Sequence, residues 1–135
     1  MDKDAIINDT EQRLKSSKEN IDKLIEDKKA LLAELEDPTK SYSAKVNAFQ
    51  NLKVIGDRIS SLIDNVLILE AEAFGALSAG NTEDTSSQGD ENLQNLKAQF
   101  DAIEALRDEA KIDKQLWKSL INKEVNDLHT YGYVR

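Results

Sequence analysis

The sequence predicts an all-α protein: an elongated antiparallel bundle of three long helices, four if the last one breaks, with coiled-coil character. Three observations carry this reading. Apolar residues recur at alternating steps of three and four over most of the chain, the mark of helices that lie along other helices. One proline and five glycines in 135 residues are too few turn formers for a sandwich or barrel. Charged residues make up 33% of the chain and are mixed in sign, as solvated helix faces require.

Helix one is expected over about 4–36. Ile7, Leu14, Ile21, Lys28 and Leu35 fall seven apart, with Thr10, Ser17, Leu24 and Leu31 between them. This seam is polar early and apolar late, and Ile25 and Leu32 widen it there. A narrow seam suits one neighbour and a wide stripe suits a bundle. The N-terminal half is therefore expected to project as a thin coiled coil, and the C-terminal half to be buried. Lys28 interrupts the seam; its stem packs and its ammonium is expected to reach water.

Asp37-Pro38-Thr39-Lys40-Ser41 ends helix one, because proline cannot continue a helix interior. A turn this short makes helices one and two antiparallel neighbours. Helix two is capped either by Asp37, with Pro38 in the first helical position, or by Ser41 or Ser43.

Helix two is expected over about 43–79. Leu52, Ile55, Ile59, Leu62, Val66, Leu69 and Ala73 keep the spacing without a break. Phe49, Ile63, Leu67, Phe74 and Leu77 flank that row, and Ile68 makes the later part apolar nearly all round. Such a helix must be covered on several sides, which makes it the central one. Asp64, Asn65, Glu70 and Glu72 interrupt the apolar run, so it is no membrane span. Gly56 and Gly75 lie inside it, and at least one should mark a close approach of another helix.

Residues 80–91 have the composition of a disordered acidic loop. Half of the net charge of −8 falls in residues 80–92, which carry Glu83, Asp84, Asp90 and Glu91 and no base. Helix three is expected over about 92–129. Leu93, Leu96, Phe100, Ile103 and Leu106 hold the period, Ala110, Asp113 and Lys114 weaken it, and Leu116, Trp117, Leu120, Ile121, Val125 and Leu128 resume it. A break near 108–113 and an unbroken helix with a phase shift are both allowed, since no proline or glycine forces either. Residues 1–135 thus read as a single helical domain.

Chemistry is not legible. There is no cysteine, and His129, near a helix end, is the one histidine. That excludes Cys–His catalysis and the paired Glu-x-x-His signature of di-iron bundles. No phosphate loop, zincin helix or calcium loop occurs. Asp64, Glu70 and Glu72 fall off the seam and read as a solvated or partner-facing edge. No enzyme activity, cofactor, metal or small-molecule substrate is expected. The acidic balance argues against direct nucleic-acid contact. Met1-Asp2-Lys3-Asp4 lacks the basic and apolar regions of a secretory signal, so a soluble intracellular chain, cytoplasmic or nuclear, is expected.

The functional expectation is a small scaffold or adaptor subunit that assembles with other helical chains, as a heteromer in preference to a homo-oligomer. The alternative is an acidic chaperone, immunity or inhibitor protein that shields one client. The residues expected to meet partners are Ile21, Leu24, Leu31 and Leu35 of helix one, Ile59, Leu62, Val66 and Leu69 of helix two, and Trp117. Phe100, Ile103, Trp117, Leu120 and Ile121 should supply the contacts of the third rod.

Overall fold

The computed structural model describes residues 2–79, 87–130 and 132. It is an all-α bundle; among the described residues no strand occurs. Helix α1 spans Lys3–Glu36, α2 Tyr42–Ala79, α3 Ser87–Glu104 and α4 Lys114–Thr130, with a 3-10 helix at Ala105–Ala110 between the last two. The expected loop over 80–91 lies partly outside the described residues. From Ser87 onward the chain is already helical, so the third helix begins earlier than the expected 92.

Both ends of α1, the start of α2 and the end of α4 have local causes. Asp2 caps α1, its carboxylate accepting from the Ala5 amide at 2.7 Å. At the far end Asp37 does not cap α2. Its carboxylate accepts instead from the Thr39 amide at 2.9 Å and the Thr39 hydroxyl at 2.7 Å, which folds the turn around Pro38. Ser41 caps α2, accepting from the Ala44 amide at 3.1 Å. Past α4, Gly132 adopts φ 77° and its amide returns to the His129 carbonyl at 3.1 Å.

The core joins three helices. Ile7, Leu14 and Ile21 of α1 meet Ile59, Ile63 and Val66 of α2 and Leu96, Phe100 and Ile103 of α3. These positions repeat at three, four or seven, so each helix offers one apolar stripe to the shared interior. The pairing along the third rod runs opposite to α2. Lys97 meets Glu70, Arg107 meets Asp64, Ala110 meets Gly56 and Trp117 meets Phe49. The same order holds on both sides of the 3-10 segment, so α4 continues alongside α2 where α3 leaves off.

Two expectations about α1 are corrected. Its N-terminal half does not project: Ile7, Thr10, Leu14 and Ile21 are its buried residues, whereas Leu24, Leu31 and Leu35 are only half-buried. The reason is where α3 lies, with Gln99 and Ile103 against Leu14 and Lys18. Thr10 fits that interior because its hydroxyl donates to the Ile6 carbonyl at 2.7 Å. Lys28 does not end in solvent alone either. Its side chain is 13% exposed, and its ammonium donates to the Glu109 carbonyl at 2.8 Å, with the Glu109 carboxylate 3.4 Å away.

Lys28 thus sits at the break in the third rod. A 3-10 helix leaves its last carbonyls without helical donors, and a cation there compensates them. Gly56 serves the same place from α2. A Cβ built on it would stand 2.5 Å from the Ala110 carbonyl oxygen, so the close approach needs glycine. Gly75 has nothing within 4 Å of its own Cβ position and makes no such contact.

Candidate functional site

Core packing uses up much of the expected partner surface. Ile21, Ile59 and Val66 are at most 1% exposed, and their side chains are held inside the chain's own interior. Trp117 is half-buried and stacks on Phe49, with ring centroids 4.8 Å apart. That contact ties α4 to α2, a stacked pair adding to the area buried. Leu35 is half-buried near the end of α1.

Leu24, Leu31, Leu62 and Leu69 behave differently. They pack against the core from its edge and remain half-buried. Two adjoining depressions run between α1 and α2 here, and they share Leu24, Val54 and Arg58. Leu31 and Asn51 line one end and Leu62 and Ser61 the other. Neither depression is lined by a residue of the third rod.

Beside this groove α2 turns apolar side chains outward. Val54 is 46% exposed and Ile68 is 56% exposed. With Ser61 between them they fall seven apart, on the side of α2 opposite Leu52, Ile59 and Ile63. Val54 and Ile68 thus leave apolar area uncovered on the outward side of α2. Sequence reasoning treated the seam itself as the partner surface and passed over Val54. The available signal was the heptad step from Val54 to Ser61 to Ile68, out of phase with the seam.

A second cluster lies where α2 meets α3. Carboxylate oxygens of Glu70, Asp101 and Glu104 all fall within 4.8 Å of one another. The Lys97 ammonium lies between them, 2.9 Å from Glu70 and 3.2 Å from Asp101. Hydrogen bonding to Glu70, then to Asp101, holds that ammonium above its usual range. Burial, and then the charge of Glu70, pushes the Glu104 carboxyl up. Three carboxylates could hold a cation, but Lys97 already supplies the positive charge. The expected solvated edge holds for Asp64 and Glu72, whereas Glu70 is half-buried against Lys97. Glu70 and Asp64 cross to the third rod, Glu70 meeting Lys97 at 2.9 Å and Asp64 meeting Arg107 at 2.8 Å, while Asp64 and Glu72 stay exposed.

His129 is exposed in the last turn of α4, where its carbonyl closes the helix with Gly132. Among the described residues no helix is long and apolar enough to cross a membrane. Comparison with known proteins returns no matching family model, no matching curated protein and no matching solved structure. By its fold the chain is a helical bundle with an apolar groove between its first two helices, open among the described residues.

Proposed function

We propose that the chain is a non-enzymatic interaction subunit, a small scaffold or adaptor that binds helical segments of other proteins. The observation that carries this is the groove lined by the exposed Val54 and the half-buried Leu24, Leu31 and Leu62, with Ile68 exposed on the same side of α2 as Val54. An amphipathic partner helix would lay its apolar face into such a groove, with anchors at three- and four-residue steps. Arg58, Asp57 and Asp27 at the rim offer both signs of charge for choosing a register.

The alternative, an acidic protein shielding one client, draws less support. Asp64, Glu70 and Asp101 are paired with Arg107 and Lys97 and are not gathered on one open surface.

Photocrosslinking tests the proposal. A photoreactive residue at Ser61, inside the groove, should trap one discrete protein in the native cells. The same residue at the exposed Glu19 should not. Val54→Asp combined with Ile68→Asp should abolish the adduct while far-ultraviolet circular dichroism stays unchanged. Equal adduct patterns from Ser61 and Glu19 would defeat the proposal.

A further inference from the structure

We propose that the third rod is a two-register element, in which the Lys28 ammonium holds a broken register against a continuous helix running from α3 into α4. This is independent of what binds the groove.

The local sequence does not force the break, although Asp113 offers a cap for the helix that follows it. Ala105-Leu106-Arg107-Asp108-Glu109-Ala110-Lys111-Ile112-Asp113 contains no glycine or proline and several strong helix formers. The break is held from outside. Lys28 donates to the Glu109 carbonyl at 2.8 Å, and Gly56 leaves room for the Ala110 carbonyl. Asp113 then restarts the helix, its carboxylate accepting from the Gln115 amide at 2.9 Å.

Helix phase shows what the break changes. At 3.6 residues per turn, a continuous helix would place Ile112 about 180° from the buried Ile103, and Leu116 about 140° from it. Leu120 would lie about 100° away, and Val125 within about 40° of Ile103. The structure has the other arrangement. Ile112 reaches α2, its Cδ1 lying 3.6 Å from the Cβ position of Gly56. Leu116 and Leu120 are half-buried, and Val125 is left 42% exposed. Trp117, Ile121 and Leu128 fall inward in either register.

Residues 112–128 therefore carry two overlapping apolar stripes. The broken register covers Ile112, Leu116 and Leu120 and leaves Val125 out. The continuous register would cover Val125 and turn those three outward. A surface that covers Leu116 and Leu120 would favour the continuous helix, because a ligand shifts an equilibrium only by its differential affinity for the two states.

Thiol labelling separates the registers, since the chain has no cysteine of its own. Val125→Cys and Leu116→Cys are made singly, and the rates of maleimide labelling compared. With Lys28 intact, the thiol at position 125 should label faster than that at 116. Lys28→Met keeps the stem but removes a charged hydrogen bond, and should move the ratio toward position 116 by about tenfold. Gly56→Ala pushes the Ala110 carbonyl away with Lys28 intact, and should move it the same way. An unchanged ratio in both variants at native helicity would overturn the proposal. Loss of helicity in both would also overturn it, because a second register would keep the rod helical.

Discussion

A Cβ on Gly56 would stand 2.5 Å from the carbonyl oxygen of Ala110. That relationship joins the middle of α2 to the one interruption in the third rod, and the carbonyl is backbone and cannot rotate away. Lys28 approaches the same turn from α1, so all three rods meet at the break.

Glycine substitutions should separate close approach from tolerance. Gly56→Ala forces the third rod off α2 and should cost about 1–3 kcal/mol, the range for overpacking. Gly75→Ala meets nothing within 4 Å and should stabilise by about 0.4–1 kcal/mol through the unfolded chain. Urea unfolding of the two variants checks both signs.

Two aspartate substitutions three residues apart should differ sharply. Ile59 is fully buried, so Ile59→Asp places a charge in the interior and should prevent folding. Leu62 is half-buried at the groove, so Leu62→Asp should fold and lose partner binding. The a/d pattern alone would predict that Leu62→Asp also fails to fold. Circular dichroism and the crosslink from Ser61 together decide.

Phe49 should control the docking of α4. Phe49→Ala removes the stack on Trp117, which is worth about 0.5–1.5 kcal/mol beyond the buried area. Trp117 emission should shift to the red while the helical signal changes little, since the core of Phe100 and Ile103 lies further along. A tryptophan spectrum unchanged from that of the native chain would show that the stack does not seat α4.

The turn at Asp37 should be sensitive to acid. The Thr39 hydroxyl, and then the Thr39 amide, hold the Asp37 carboxyl below its ordinary value of 3.8. A lowered folded value means that the turn's contribution is present above 3.8 and lost as pH falls through the folded midpoint. Thr39→Val removes the hydroxyl and should return the midpoint part of the way. Carboxyl-carbon titration by NMR reads it directly.

Glu104 should show the opposite sign. Burial raises its carboxyl above 4.5, so the fold prefers the protonated form. That preference stabilises below 4.5 and is lost as pH rises through the folded midpoint. Glu104→Gln should therefore raise the thermal midpoint slightly at pH 7 and change it little at pH 4. A fall at pH 7 would show that Glu104 instead helps to hold Lys97.

The spacing of Ile7, Leu14 and Ile21, of Ile59, Ile63 and Val66, and of Leu96, Phe100 and Ile103 determined the helices and their inward faces. Periodicity is a local property, and it survives whatever the helix packs against. The stop at Pro38 was legible because its cause is local, whereas Ser41 was one of three candidate caps and only the structure chose it. Which half of α1 is buried was decided only by the tertiary structure, because it depends on where α3 comes to rest. Gly56 could be suspected of a close approach, but its neighbour Ala110 lies far away in sequence. Lys28 read as a snorkelling seam residue because nothing nearby in the chain reveals the carbonyl it meets across the bundle. The break itself is the clearest case: residues 105–113 allowed a break and a continuous helix alike, and only the bundle shows the broken form meeting Lys28 and Gly56.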